Sequence, residues 1–338
     1  LSTTIKSLDG LVRGMIIGGQ QMPGRMEWPY WNPTRIIPET INEFPWFTFL
    51  YADLHAHMMA LPYTVLAIGL AMAVLRATRR DSFIAEAIRL GLISLVLGAL
   101  WPINTWDFPT YAILVFAGLG LREWRRDGKI TVRGVIAVAW RWALVIVLSR
   151  LLFQPFHSAY GAAYSSIERW EGLRTTLADF FMVHGLFLLA IAFALINDFA
   201  FGKGHNGIVR LARFTFRNAG KRQRANHLYQ LLVQKPFAFP LSSFYPILFG
   251  VLVITAAAIV AQWGVPALTL VLLLFAMLLF FREKPQPLWQ MVLFFMILGL
   301  GLTCAVELVV LKGDIGRMNT VFKFYLQVWV LWGTAAAL

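Results

Sequence analysis

Two carboxylates and two imidazoles fall within one short stretch, Glu43-Phe-Pro-Trp-Phe-Thr-Phe-Leu-Tyr-Ala-Asp53-Leu-His55-Ala-His57. It runs directly into an apolar segment that opens Met58-Met59-Ala60-Leu61. Ionisable groups at the mouth of a membrane helix are costly unless solvated, paired or used, so they make a functional-site hypothesis. Asp53, His55 and His57 alternate. On an extended backbone they project to one side and offer a divalent metal (Mg, Mn or Zn) two imidazoles and a carboxylate. On a helix, residues two apart point about 200° apart and cannot share a ligand. The competing reading is a polar helix cap with Asp53 near an N-terminus.

Glu43 and Asp53 are candidate general bases, because an aromatic, partly dry setting raises a carboxylate toward neutral pKa. Pairing with Arg35 or Arg317 is the alternative. Asp107, in Trp101-Pro-Ile-Asn-Thr-Trp-Asp107-Phe-Pro-Thr, sits where a helix starts and suits catalysis or capping equally. Arg317 and Lys323, in Lys312-Gly-Asp314-Ile-Gly-Arg317-Met-Asn319-Thr-Val-Phe-Lys323, and His157, in Phe153-Gln-Pro-Phe-His157, form a candidate cradle for a lipid-linked phosphate. Headgroup snorkelling competes, and suits Lys323 better than Arg317. Glu307, inside an apolar run, is a candidate partner for an intramembrane arginine.

The elements that must position these residues are membrane helices. The chain is 59% apolar and only 14% charged, well outside soluble averages. Nine apolar segments follow the first motif, at about 60–76, 84–100, 109–121, 134–152, 180–199, 244–262, 265–281, 289–310 and 321–338. We therefore expect an all-α, polytopic membrane protein with about nine transmembrane helices. Residues 1–58 read as an interfacial loop segment rich in Gly, Pro and aromatics, and 59–338 as the transmembrane domain. The opening at Leu1 and the apolar run still open at Leu338 lead us to expect further helices beyond both ends.

The net charge of +13 does not point to nucleic acid, because the basic residues lie mainly in loops between apolar segments. One set of alternate loops holds eighteen Lys and Arg, and the opposite set holds nine. By the positive-inside rule the richer set is cytoplasmic in the plasma (inner) membrane. That orientation carries all the polar-aromatic motifs to the extracytoplasmic side. In the loop 200–236, Arg210, Arg213, Arg217, Lys221 and Arg224 recur at helical spacing and suit a helix lying on anionic lipid. Arg141, inside an apolar segment, needs a partner. The single cysteine, Cys304, excludes an internal disulfide and a cysteine metal cluster.

Three separated motifs, Ile36 through Pro62, Trp101 through Pro109 and Arg317 through Tyr325, resemble the YYY membrane protein family of bacteria and archaea. That family is a domain of unknown function grouped with the GT-C glycosyltransferases. The resemblance implies a GT-C-like bundle that transfers a sugar from a polyprenyl-phosphate or -diphosphate carrier at the extracytoplasmic face. An outer-loop carboxylate is the catalytic group such enzymes use, sometimes with a divalent metal. On that reading Asp53 or Glu43 activates the acceptor hydroxyl, and Arg317, Lys323 and His157 steady the phosphate. The partners would be a lipid-linked sugar donor and membrane lipids. GT-C enzymes usually carry the key carboxylate in the first outer loop, and this chain is expected to begin downstream of a helix, so Asp53 belongs to a later loop. The second hypothesis is a non-catalytic accessory subunit that docks other membrane subunits through these loops. A transporter is disfavoured, since no paired, Gly/Pro-broken helices occur in corresponding halves.

Overall fold

The computed structural model describes residues 31–52, 54–78, 81–161, 166–201, 241–281 and 286–338, without the side chains of 199–201 and 241–248. The described chain is helical apart from one small strand pair. A short helix α1 (Pro45–Tyr51) precedes α2 (Ala56–Arg76), α3 (Phe83–Asn104), α4 (Asp107–Asp127), α5 (Val132–Leu152) and the short α6 (Gln154–Ala159). Strand β1 (Ile167–Arg169) leads to α7 (Leu177–Phe201); α8 (Leu241–Val260), α9 (Gly264–Phe280), α10 (Pro287–Ala305), β2 (Val309–Leu311) and α11 (Met318–Ala337) complete the order.

Each of the nine apolar segments becomes one long helix. Five of them are long and apolar enough to cross a membrane by length and composition: α2, α3, α5, α7 through Asp198, and α10. These five are counted among the described residues alone, of which α8 enters only from Phe249 to Val260. In α4 the run is broken by Arg122, Glu123, Arg125, Arg126 and Asp127, and α9 is a shorter apolar helix.

The boundaries follow ordinary capping chemistry. Ser82 Oγ accepts the Ala85 N–H at 3.2 Å to start α3, and Thr131 Oγ1 accepts the Gly134 N–H at 3.0 Å to start α5. Gly128, with φ of 67°, ends α4 in the left-handed conformation that costs glycine least. Pro45 and Pro287 occupy first turns, where no amide hydrogen is missed.

Helices α2 to α5 pack on one another, and α7 to α11 form a second group in which α9 and α10 pack closely. The last helix joins the two, touching α7 and α10 on one side and α1, α2 and α4 on the other. Its buried Val321, Tyr325, Val328, Leu331 and Trp332 lie in the same core as Leu100, Tyr111 and Leu114. Antiparallel pairing of β1 with β2, with Ile167 opposite Leu311, ties the loop after α6 to the loop after α10.

Candidate functional site

Residues 34–42 fold into a compact loop that delivers Glu43 to the bundle. Asn42 Oδ1 accepts the Ile37 N–H at 2.8 Å, its Nδ2 donates to Thr40 Oγ1 at 2.9 Å, and its own N–H reaches the Thr34 carbonyl at 2.8 Å. All three side chains are buried, so each polar group needs the partner it has. Phe44 then stacks on Trp329 of α11, with ring centroids 5.3 Å apart. These contacts are the physical content of the Ile36-Ile-Pro-Glu-Thr-Ile-Asn-Glu motif; Pro38-Glu39-Thr40, which reads from sequence as a helix start, forms a turn instead, and Asn42 was not singled out from sequence.

Helix α2 begins at Ala56, with His55 as its extended N-cap residue and His57 in its first turn. His55 is therefore on extended backbone, while His57 already lies in the helix. His55 is exposed and His57 buried, although their rings lie 5.5 Å apart. His57 Nε2 meets Glu43 Oε2 at 3.2 Å. Its ring sits edge-on against Phe322 of α11, 4.6 Å between centroids. A carboxylate and an imidazole fourteen residues apart are thus brought together where α2 and α11 meet. Asp53 lies outside the described residues.

Among the described residues, which leave out Asp53, no three His, Cys, Asp or Glu side chains come together as a metal-holding group.

The other motifs converge on the same end. Trp106 meets Phe324 of α11 at 6.3 Å, Trp101 meets His157 at 5.2 Å, and Thr105 Oγ1 lies 3.4 Å from Tyr160 Oη. Burial and the charge of Arg150 lower the pKa of His157. Its Nε2 is buried with no hydrogen-bond partner.

Asp107 occupies the first turn of α4, where a negative charge suits the helix dipole. It is 1% exposed and accepts from Asn104 Nδ2 at 2.9 Å and from Gln327 Nε2 at 2.7 Å. Gln327 Oε1 in turn accepts from Tyr111 Oη at 2.5 Å. Asp107 therefore anchors a polar network inside the core, linking the corner between α3 and α4 to α11.

Arg317 is likewise enclosed. Its Nη1 donates to Glu307 Oε1 at 2.8 Å and to the Val306 carbonyl at 3.2 Å, and its Nη2 to Thr175 Oγ1 at 2.9 Å. Glu307 also accepts from the Thr175 backbone at 3.0 Å and from its hydroxyl at 2.5 Å. Arg317 is 4% exposed and Glu307 0%. Glu307, expected to partner an arginine inside an apolar segment, instead holds Arg317 from the loop before α11. Thr175 had no sequence signal beyond being polar.

The start of α11 is capped by Asp314. Its Oδ1 accepts from the Asn319 N–H at 3.1 Å, and its Oδ2 from the Thr320 N–H and hydroxyl, each at 2.7 Å. The amide hydrogens that a phosphate would have used at this N-terminus are held by that carboxylate. Gly313 and Gly316 take φ of 87° and 58° to make the turn. Of the expected phosphate ligands, Lys323 is half-buried, with Asp314 and Asp107 as its electrostatic neighbours.

At the opposite end lies a cluster that the sequence hinted at only through Arg141. Glu86 of α3 accepts from Arg122 at 2.7 Å, from Arg141 at 2.9 Å and from Arg89. Arg89 also pairs with Asp81 at 2.6 Å. The partner that an arginine inside an apolar segment requires is therefore Glu86.

Comparison with known proteins shows the family. The chain belongs to the uncharacterized membrane protein family DUF2298. The family model covers residues 2–332, which takes in all three motifs. It names a membrane protein and no reaction, and it carries no link to GT-C enzymes. No curated protein and no solved structure matches the chain. Together with its apolar helices, family membership makes the protein an integral membrane protein. Residues 202–236 of the basic loop, with its arginine and lysine stripe, lie outside the described residues.

Proposed function

We propose that this protein is a GT-C-type glycosyltransferase taking its sugar from a polyprenyl-phosphate-linked donor at the extracytoplasmic face. The single observation carrying that reading is the Glu43–His57 pair, 3.2 Å apart at the junction of α2 and α11. The bias of basic residues toward the other loops supports the orientation.

The chemistry follows from the pair. Glu43 accepts the Nε2–H of His57, which fixes the tautomer and leaves the Nδ1 lone pair as a base. His57 Nδ1 takes the proton of an acceptor hydroxyl while that oxygen forms a bond to the anomeric carbon. The bond from that carbon to the carrier phosphate oxygen breaks, and its electron pair leaves on the phosphate. The result is inversion, with the imidazolium held beside the Glu43 carboxylate until it loses its proton to water. Lys323 supplies positive charge toward the leaving phosphate. Arg317 and Asp107 act as positioning residues, holding α11 and the α3–α4 corner. The test is donor turnover by purified protein in proteoliposomes, using a panel of polyprenyl-phosphate hexoses and pentoses. Release of carrier phosphate by wild type supports the proposal; none with any donor refutes it.

A second reading, a non-catalytic subunit, is favoured by one feature. Trp46, Phe49, Leu50 and Leu54 are exposed side by side in sequence, while Arg317 is closed on Glu307. This reading expects a stable assembly with other membrane subunits, lost on changing Trp46 and Leu50 to Ser, and no donor turnover.

A further inference from the structure

A cavity of about 390 Å³ opens between α4, α5 and the end of α9, at the end of the bundle opposite the Glu43–His57 pair. That volume lies within the roughly 300–1,000 Å³ of small-molecule sites. Its walls are Phe116, Gly120, Trp124, Val135, Val138 and Phe280. Phe116 and Val135 are exposed on the outer surface of the bundle, so the groove opens where the hydrocarbon of a bilayer would lie.

The rim has a particular charge pattern. Lys129 lines the mouth and is exposed. The arginines around it are already used: Arg122 on Glu86, Arg126 on Glu123 at 2.6 Å, and Arg125 on Gln290 at 3.2 Å. Glu123, the one carboxylate in the wall, is therefore neutralised by Arg126. Lys129 and Arg133 have no ion-pair partner among the described residues, and both are exposed. An apolar slot with an uncompensated cation at its lip matches an acyl chain below an anionic head.

We infer that this groove binds one phospholipid with an anionic headgroup, its acyl chain between α4, α5 and α9 and its phosphate at Lys129. The inference stands apart from sugar transfer, because the groove and the Glu43–His57 pair share no residue.

Gly120 gives a clean test. A side chain built there meets no atom within 4 Å, so Gly120→Phe fills the slot without forcing the backbone, and Gly120→Ala is a mild control. Full-length protein is purified from membranes and its retained lipids counted by native mass spectrometry against added phosphatidylglycerol or phosphatidylcholine. Wild type and Gly120→Ala retain one phosphatidylglycerol with a several-fold preference over phosphatidylcholine. Gly120→Phe loses it, and Lys129→Gln holds the two lipids equally. Equal retention by wild type and Gly120→Phe, or no headgroup preference in wild type, overturns the inference. If Gly120→Phe folds poorly, brominated-chain phosphatidylglycerol replaces it as the readout. Quenching must then fall on Trp124→Phe substitution. Quenching unchanged by that substitution leaves the groove without a bound lipid chain and also overturns the inference.

Discussion

Replacing Arg317 by Met separates the two roles this residue could have. In the structure its guanidinium donates to Glu307, Thr175 and the Val306 carbonyl, and Glu307 is 0% exposed. Removing the cation leaves Glu307 a buried charge with only the two Thr175 donors. Breaking a buried pair from one side costs about 3–5 kcal/mol, because the remaining charge is uncompensated. Neutralising both sides, as in Arg317→Met with Glu307→Gln, removes that charge. The double variant is therefore expected to recover roughly half or more of the loss, a coupling of about 1–3 kcal/mol in a double-mutant cycle. The assay is denaturant unfolding of the full chain in detergent, followed by tryptophan fluorescence. Additive losses would refute the reasoning. So would an Arg317→Met protein that unfolds like wild type but fails to bind donor, since Arg317 would then serve a ligand rather than Glu307.

Three further outcomes follow from the packing and the charges. Gln327→Leu leaves Asp107 with only Asn104 and removes the acceptor of Tyr111; about 1–3 kcal/mol should be lost per stranded group, read by the same unfolding assay. At Gly299 a methyl group would lie 2.2 Å from Trp332 Nε1, and Trp332 is fully buried. Gly299→Ala should therefore cost about 1–3 kcal/mol through overpacking, whereas Gly301→Ala, which meets nothing within 4 Å, should not. The pKa of His157 is lowered in the folded protein by burial and Arg150. The unfolded chain then binds the proton first as pH falls. Its contribution is complete above the ordinary histidine range and is lost as pH drops through it, so His157→Phe should flatten stability between about pH 7 and 5.

What the sequence made legible was set by periodicity and by charge counting. Apolar runs located the nine long helices among the described residues, because burial in lipid or protein demands such runs. Beyond the run 109–121, the charged end of α4 folds into ion pairs with α3 and α5 that the run itself did not show. The run 289–310 stops as a helix at Ala305; Val309, Val310 and Leu311 pair with β1 instead, a contact between loops more than a hundred residues apart. The described motif residues lie toward one end, but their roles divide. Glu43 meets His57, an encounter that spacing alone could not reveal because it depends on the loop held by Asn42. Asp107 and Arg317 point inward to Gln327 and Glu307, partners that lie 220 and 10 residues away. Nothing local distinguishes a carboxylate facing a vestibule from one facing a distant glutamine.

The claim on which the functional account rests is that Glu43 and His57 work as a unit. Carrier-phosphate release should be measured for Glu43→Gln, His57→Gln and the double variant, each checked for a wild-type unfolding transition. The account predicts that either single change removes nearly as much activity as both together, as residues in one proton-transfer pair do. Independent, multiplying losses, or full activity in His57→Gln, would contradict it.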